Sequence, residues 1–366
     1  MPGMRKARHY RIRRKHPTAF DLFCGCGGLT LGLKQAGFRV IYGVDIDPLS
    51  METYRTNHPE IRTHLGNIRK LSIAKLMNRL RLRPGDLDLL AGCPPCQGFS
   101  TMRTLNGGKQ INDPQNDLVL EFLRFVLWLR PKAVMLENVP GLLTDRRMRS
   151  LLAVLERLGY HYKCDVLNAA DFGVPQRRRR MIMLAARRAE VVFAKADTER
   201  ATVRTAIGSL PMAGKSGDPL HDLPEKRTAR VIELIKKVPK DGGSRTDLGS
   251  EDQLDCHKKC SGFKDVYGRM AWEGVAPTIT TGCFNPSKGR FLHPEVDRAI
   301  TLREAALLQS FPLHYQFSLS RGKSGAALLI GNALPPEFVR RQALSLAGTL
   351  GYHDGRATDE PANGRR

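Results

Sequence analysis

The thiol best suited to covalent chemistry belongs to Cys96, in the stretch Gly-Cys-Pro-Pro-Cys-Gln-Gly-Phe-Ser at residues 92–100. The apolar residues 86–91 before it predict a buried strand that ends in a tight loop. Two consecutive prolines fix φ and remove two N–H donors, so Cys96 is held on a stiff backbone at the strand's carboxyl end. Ligands of open α/β sheets bind at this edge. Cys96 is therefore a candidate nucleophile, with a buried structural thiol as the alternative.

Two acids follow predicted strands at the same edge. Glu137 comes after the strand at 131–136 and should lie beside the Cys96 loop. Asp45 ends the strand at 39–44, where a carboxylate is placed to accept hydrogen bonds from a ribose diol. Exposed acids at strand ends are common, so a catalytic role for Glu137 depends on its position beside Cys96.

A glycine-rich turn precedes them in the chain. Residues 18–23 predict a first strand, residues 24–28 read Cys-Gly-Cys-Gly-Gly, and residues 29–37 predict a short helix closed by glycine. Strand, glycine-rich turn and helix open a nucleotide-type α/β fold, in which backbone N–H groups meet an anionic or polar ligand. A tight turn without a ligand is the alternative for such a motif alone.

Four consecutive arginines at 177–180 precede the strand-like residues 181–185. Such a run is typical of a solvated surface or a phosphate track. Because side chains alternate along a strand, Arg178 and Arg180 should share one face and point inward.

The charge of the chain predicts a polyanionic partner. Its 366 residues include 59 Lys and Arg against 36 Asp and Glu, a net charge of +23. Residues 1–17 carry seven of these cations and no acid, which predicts a disordered basic arm that is compatible with nucleic-acid binding. No apolar run approaches the ~18 residues of a membrane span, no secretory signal is visible, and the cysteines are expected to be reduced.

Composition divides the chain into a core and a variable module. We predict a basic arm at 1–17, an α/β domain at 18–188, a variable module at 189–300, a connection at 301–329, a return to the first domain at 330–353 and a disordered tail at 354–366. Helices are predicted at 48–57, 118–129, 151–158, 301–310 and from about 336 to 350, and a strand at 276–281. The polar residues 97–116 predict a mobile loop.

Six of these segments, in this order, resemble blocks of the DNA (cytosine-5) methyltransferase family. They are Asp-Leu-Phe-Cys-Gly-Cys-Gly-Gly at 21–28, Pro-Cys at 95–96, Glu-Asn-Val at 137–139, Gln-Arg-Arg-Arg-Arg at 176–180, Thr-Leu-Arg-Glu-Ala at 301–305 and Gly-Asn at 331–332. The resemblance implies an α/β fold, the Rossmann-like mixed sheet of S-adenosylmethionine-dependent methyltransferases, with a smaller inserted target-recognition domain.

The resemblance also implies a mechanism. Cys96 would add as a thiolate to carbon 6 of a cytosine flipped out of duplex DNA, which activates carbon 5 for methylation. Glu137 would hold or protonate N3, while Arg178 and Arg180 would stabilise developing charge. The products would be 5-methylcytosine and S-adenosylhomocysteine. The loop at 97–116 would close over the base.

Two further sets of residues follow from the resemblance. The cofactor site would comprise Phe23, Gly25, Gly27, Gly28, Asp45, Ile46, Asn67, Ile68, Pro95 and Asn332. The DNA contacts would come from Gln97, Ser100, Thr278, Ile279, Lys288 and Arg290. At Asn67 the family commonly has an aspartate, and a carbonyl oxygen can accept the same hydrogen bond without the charge. The family's arginine at the position of Gln115 is also absent.

Three alternatives remain at this point. The tRNA-methylating branch of the family has Cys-Phe-Thr where this chain has Cys283-Phe284-Asn285, and a catalytically silent relative would have lost Cys96 or Glu137. A redox protein using Cys93 and Cys96, or a structural zinc at 256–260, lacks a second ligand pair nearby, so no metal is expected. We expect a cytoplasmic, nucleoid-associated bacterial monomer that binds double-stranded DNA, no membrane, and no stable complex with any cognate restriction endonuclease.

Overall fold

A computed structural model describes residues 16–95, 117–249 and 265–352. In these ranges the chain forms a seven-stranded mixed sheet with the order β3-β2-β1-β4-β5-β7-β6. The strands are β1 Thr18–Leu22, β2 Arg39–Asp45, β3 Arg62–Leu65, β4 Leu89–Gly92, β5 Ala133–Asn138, β6 Tyr160–Asn168 and β7 Arg179–Arg187. β1 to β5 are parallel, whereas β7 runs antiparallel to both β5 and β6.

Helices cover both faces of the sheet, so its central strands are buried on both sides and mostly apolar. The helices of the described ranges are α1 Gly28–Gln35, α2 Pro48–Asn57, α3 Ile73–Leu80, α4 Leu118–Leu129, α5 Arg146–Arg157, α6 Val203–Ile207, α7 Ala229–Lys237, α8 Leu302–Leu308, α9 Gly322–Asn332 and α10 Pro336–Thr349. One core packs α3, α4 and α5 against the sheet. The other packs α1, α2 and α10 against the opposite face.

The strand order places a crevice at the carboxyl edge of the sheet. The connection after β1 leads to β2 on one side, and β4 lies on the other side of β1. The loops after β1 and β4 therefore diverge, and this is where open α/β sheets bind their ligands.

A third core lies beside the sheet, built from α6, α8, α9 and the segment between residues 270 and 300. Cys26 and Leu49 belong to it, which joins it to the glycine-rich turn and α2. A small fourth core packs α7 against Tyr267 and Leu292. The predicted domain limits remain predictions.

Several elements agree with their predicted bounds. The helices at 48–57 and 118–129 and the Thr301 cap, whose hydroxyl accepts from the Glu304 N–H at 3.1 Å, are confirmed. The helix predicted at 151–158 begins earlier, at Arg146, because Asp145 caps it. The last helix begins at Pro336 as expected.

Other elements differ from prediction. The strand predicted at 276–281 is wrong, since it contributes only an isolated bridge between Gln176 and Ala276. β6 and α9 were not predicted. β6 carries charged residues such as Lys163 and Asp165 at the edge of the sheet, which hides its alternation, and α9 holds three glycines. Within the described ranges, no helix is long and apolar enough to cross a bilayer.

Candidate active site

A cavity of about 620 Å³ opens at the carboxyl edge of the sheet. The loops after β1, β2, β3, β4 and β5 contribute to its lining, together with the start of β7 and the end of α9. Almost every described residue that the sequence assigned to catalysis or to the cofactor lines it; the exception is Gly27. Cys96, Gln97, Ser100 and the loop that contains them lie outside the described residues, as do Gln115, residues 256–260 and both termini.

The glycine-rich turn follows β1 in a backbone conformation that side chains disfavour. Phe23, Gly25 and Gly27 have φ values of 62°, 52° and 98°, in the left-handed region where glycine alone is at ease. A Cβ on Gly28 would lie 2.4 Å from the Leu334 carbonyl oxygen, so this position has no room for a side chain. The turn is therefore a fixed cradle.

Asp45 ties the end of β2 to this turn. Its carboxylate accepts hydrogen bonds from the Gly25 N–H at 2.8 Å and from the Asp47 N–H at 2.9 Å. Burial raises the pKa of Asp45, while these two hydrogen bonds act against the rise. Lone pairs remain on both oxygens, so the carboxylate can accept further bonds from a ligand.

Tyr315 and His58 support the turn from behind. The Tyr315 hydroxyl donates to the Cys26 carbonyl at 2.6 Å and lies 3.1 Å from His58 Nε2. Burial lowers the pKa of His58 to about 4, helped by the nearby Lys34 ammonium. Sequence reasoning missed both residues, because they are 257 positions apart and carry no local motif.

The cavity lining also includes exposed apolar side chains and the side-chain amide of Asn67. Ile46 is 65% exposed although it is aliphatic, and it lines the cavity with Phe23. Asn67 Oδ1 accepts from the Arg69 N–H at 3.0 Å, which uses one of its two lone pairs. Ile68 packs into the sheet core behind them.

Glu137 and Arg180 form the charged centre of the cavity. Arg180 Nε lies 3.0 Å from Glu137 Oε1, and Glu137 is only 8% exposed. The next residue, Asn138, donates through Nδ2 to the Pro94 carbonyl at 2.8 Å. The end of β5 is therefore bonded to the loop that leads into Cys96.

Cys93 lines the same cavity. Burial raises the pKa of the Cys93 thiol well above its usual value, and the nearby Glu137 carboxylate raises it further. Cys93 therefore stays a protonated thiol at neutral pH. A protonated thiol is a poor nucleophile, so its place in the cavity does not make it a rival to Cys96.

Arg178 is fully enclosed and turned toward backbone carbonyls. Its guanidinium donates to Ile279 O at 3.1 Å and to Gly331 O at 3.0 Å. Burial, followed by the charge of Arg180, lowers the pKa of Arg178 to about 9. Arg178 and Arg180 both line the cavity, as the alternation along β7 predicted. The two terminal nitrogens of Arg178, however, bind two chain segments, and only its buried Nε has no hydrogen-bond partner among the described residues.

The residues assigned to DNA differ in exposure. Thr278 donates through Oγ1 to the Arg177 carbonyl at 2.6 Å, and Lys288 is exposed. The side chain of Ile279 is buried in the third core, so it is unsuited to a groove contact. Arg290 binds the carbonyls of Gly242, Gly243 and Arg269 as well as Asp265, so it is a cross-link rather than a free phosphate contact. Among the described residues, no cluster of His, Cys, Asp or Glu is suited to a metal.

Solved methyltransferase structures share the α/β fold of this chain. A prophage-encoded E. coli protein described as a DNA modification methyltransferase superposes with a TM-score of 0.66 and 24% identity, over 92% of this chain and 99% of that chain. The Entamoeba histolytica methyltransferase EhMeth gives a TM-score of 0.62 at 16% identity, with the same coverage. At these identities the likeness shows the fold alone.

Sequence comparison gives the family. The model of the C-5 cytosine-specific DNA methylase family matches residues 18–347. The Type II methylase M.HgiDII of Herpetosiphon aurantiacus is 39% identical over 91% of this chain and 96% of its own length. The Type II methyltransferase M1.HphI of Haemophilus parahaemolyticus is 36% identical over 87% of this chain and 83% of its own. The chain belongs to the C-5 cytosine-specific DNA methylase family and is a DNA (cytosine-5)-methyltransferase.

Proposed function

We propose that the chain methylates carbon 5 of a flipped cytosine by covalent catalysis through Cys96, with Glu137 and Arg180 as its catalytic partners. The observation that carries this assignment is the Glu137–Arg180 pair, 3.0 Å apart in the cavity that the glycine-rich turn and Asp45 also line. The bond from Asn138 to Pro94 supports the placement of Cys96 at the same centre, since Cys96 follows Pro94 by two residues.

The proposed reaction begins at carbon 6, because carbon 5 of cytosine is a weak nucleophile until an electron-rich group adds beside it. The Cys96 thiolate forms a C–S bond to carbon 6, and the displaced electron pair is accommodated at N3. Carbon 5 then bonds the methyl group, whose bond to the donor's sulfonium sulfur would break and leave its electrons on that sulfur. A solvent base takes the carbon-5 proton, the C–S bond to Cys96 breaks with its electrons returning to the thiolate, and N3 gives its proton back to Glu137.

Glu137 supplies the proton that N3 needs. It carries this proton, or shares it with the base, and its second oxygen accepts from the exocyclic amine. Arg180 holds the Glu137 carboxyl in place, and its positive charge also favours the Cys96 thiolate. Burial of the pair removes competing water, which strengthens both effects.

The cavity fits S-adenosylmethionine. Asp45 would accept from the ribose hydroxyls, Ile46 and Phe23 would contact the adenine, and the free lone pair of Asn67 would accept from the adenine amine. Asn332, exposed at the cavity wall, would meet the methionine end. S-adenosylmethionine, when bound, supplies the methyl group as an electrophilic sulfonium.

The proposed substrate is double-stranded DNA, with the target base extruded into the cavity at a cost of a few kcal/mol. Gln97, Ser100, Thr278 and Lys288 are the proposed contacts. The Type II names of the relatives support a place in a restriction–modification system. A monomeric enzyme in the cytoplasm is part of the same proposal.

A pair of cysteine substitutions tests the nucleophile. Cys96→Ser should abolish methyl transfer, measured by bisulfite sequencing of DNA from expressing cells, while binding of cofactor and DNA persists. Cys93→Ser is the matched control and should keep most of the activity. Full activity in Cys96→Ser, or equal loss in both variants, would contradict the assignment.

A second experiment tests the covalent step itself. Duplex DNA that carries 5-fluorocytosine at the target should form a stable adduct with the protein, because fluorine cannot leave carbon 5 as a proton does. Mass spectrometry should locate the adduct at Cys96. An active enzyme that forms no adduct with this substrate would not use the proposed route.

A further inference from the structure

Two buried glutamines join separate segments of the chain beside the cavity. Gln176 and Gln309 are both 0% exposed. Gln176 Oε1 accepts from the Ile279 N–H at 2.9 Å, and Gln176 Nε2 donates to Gln309 Oε1 at 2.9 Å. Gln309 Nε2 in turn donates to the carbonyls of Ile330 and Ala333. A continuous chain of hydrogen bonds thus runs from residue 279 to residues 330 and 333.

Arg178 makes a second, shorter connection between the same two places. Its guanidinium binds Ile279 O and Gly331 O, so the amide and the carbonyl of Ile279 are both held from one side. Gln309 binds the carbonyls of residues 330 and 333, and Arg178 binds the carbonyl of residue 331. These residues lie next to Asn332 in the sequence.

The backbones of these segments also touch directly. A Cβ on Gly331 would lie 2.4 Å from the carbonyl carbon of Thr280 and 2.4 Å from the Thr281 nitrogen. Real Cβ atoms do not come that close to other atoms, so only glycine at position 331 lets the two backbone segments lie this near each other. The segment that carries Thr278 and the segment that carries Asn332 therefore move as one body.

A polar connection of this kind is not required for core stability. Apolar residues of similar volume pack as well as buried polar groups, whereas polar groups impose one arrangement because each needs its partner. Neither glutamine lines the cavity, so neither can touch substrate or cofactor. The two glutamines instead fix the position of Thr278 relative to Asn332.

We propose that Gln176 and Gln309 are positioning residues that couple DNA binding to cofactor binding. The inference rests on the proposed roles of Thr278 at the DNA and of Asn332 at the cofactor. A ligand that orders either segment orders the other through the bridge, so the second ligand binds at a smaller entropic cost. By thermodynamic reciprocity each ligand then tightens the other by the same factor.

Calorimetry on the full chain tests this coupling. The dissociation constant for S-adenosylhomocysteine, which allows no turnover, is measured with and without a duplex that contains the target sequence found by bisulfite sequencing. We expect the duplex to tighten binding at least about fivefold in the wild-type protein. In Gln309→Met, which removes the donors but keeps the volume, this factor should fall close to one.

Gln342→Met is the matched control. Gln342 is likewise 0% exposed, but it lies in the sheet core and accepts from the Ala194 N–H at 3.0 Å, away from the bridge. Its coupling factor should stay that of the wild type. An unchanged factor in Gln309→Met, or an equal loss in Gln342→Met, would overturn the inference.

A glycine pair decides the case if Gln309→Met does not fold. Gly331→Ala forces the two backbones apart, whereas Gly348→Ala, in α10 with no atom within 4 Å of the added Cβ, disturbs nothing. Only Gly331→Ala should lose coupling. A wild-type enzyme that methylates DNA but binds S-adenosylhomocysteine equally with and without the duplex would refute the coupling alone. Failure to bind the cofactor at all would refute the proposed function as well.

Discussion

Glu137 and Arg180 are 43 positions apart in the sequence and meet because β7 runs against β5. Glu137 stands near the carboxyl end of a parallel strand, and Arg180 near the amino end of its antiparallel neighbour. Only opposite strand directions bring those two ends together. The sequence shows both residue types and the resemblance implies their roles, but neither predicts that Glu137 and Arg180 form an ion pair.

Glu137→Gln tests the carboxyl group at the residue scale. The amide keeps the shape of the side chain but cannot deliver a proton to N3, so kcat should fall about 100-fold or more. S-adenosylhomocysteine binding should change little. Glu190→Gln, on a side chain that is 79% exposed beside His161, serves as the control and should leave steady-state methylation rates unchanged. Equal rates in the wild type and Glu137→Gln would remove Glu137 from the mechanism.

The strand ends were predictable because a short apolar run followed by a polar residue marks them in the sequence. The contacts that these residues make in the folded chain were not predictable. The strand ends near Asp45 and Glu137 followed from short apolar runs bounded by polar residues. The opposite case is Arg290, whose basic character suggested phosphate, while the fold uses it to bind three carbonyls. A sequence does not show which basic side chains bind backbone carbonyls within the folded protein and which remain available to a ligand.

At the scale of elements, the glycine-rich turn depends on a support that is remote in sequence. Tyr315 and His58 reach the turn from the segment after α8 and from the end of α2. Because the turn itself has residues with positive φ, it relies on these bonds to hold its shape. The motif was legible in the sequence, whereas its support was visible only in the fold.

His58 gives this support a pH dependence. Its pKa is about 4 in the folded chain against an ordinary value of about 6.5, so the folded state is favoured fully above pH 6.5 and loses this advantage as the pH falls toward 4. Between pH 7.5 and 5 the wild type should lose about 2 kcal/mol through His58.

Denaturant unfolding at a series of pH values measures this loss. The stability gap between the wild type and His58→Gln should narrow by that amount as the pH falls to 5. The gap for Gln342→Met, a buried side chain that does not titrate, should stay constant. A constant gap for His58→Gln would show that His58 is free to ionise in the folded chain.

The module between α7 and residue 300 is organised by one buried arginine. Arg269 is 0% exposed and donates to the carbonyls of Ile235, Val238, His293 and Val296, and it pairs with Asp297. The described part of this segment has few regular elements, so side-chain bonds take the place of the backbone hydrogen bonds that order the sheet.

Removal of this hub should be costly. Arg269→Met leaves four carbonyls without their donor and Asp297 with Lys240 alone, and the free energy of unfolding should fall by about 3–5 kcal/mol. Arg200→Met breaks a pair with Asp171 at a side chain that is 54% exposed, and it should cost less than about 1 kcal/mol. Urea unfolding measures both. Similar small losses would mean that Arg269 contributes no more than a surface pair.

At the scale of the whole molecule, the sheet core and the charge follow most directly from the sequence. Both faces of the sheet are filled by helices whose apolar spacing was legible, as in α2 and α4. The path of the chain beyond residue 188 was not legible, because its packing rests on contacts between distant segments. The family resemblance implied the fold class of this region, whereas the packing of its side chains is seen only in the structure.

The net charge of +23 makes DNA binding depend on salt. Each phosphate neutralised releases counterions, so the logarithm of the binding constant should fall linearly with the logarithm of salt concentration. Binding of a duplex without the target should weaken about 1000-fold or more between 50 and 200 mM salt. Fluorescence anisotropy measures this slope. A flat response would mean that the basic surface does not meet the phosphates.

The antiparallel register of β7 also limits how its gene can vary. Arg180 pairs with Leu167 on one side of β7, and Ile182 pairs with Glu137 on the other. A single-codon insertion or deletion between Arg180 and Ile182 would turn Arg180 to the opposite face while the hydrogen-bonded ladder re-forms. A two-codon change would restore the face. Viable length variants in this strand should therefore differ by even numbers of residues.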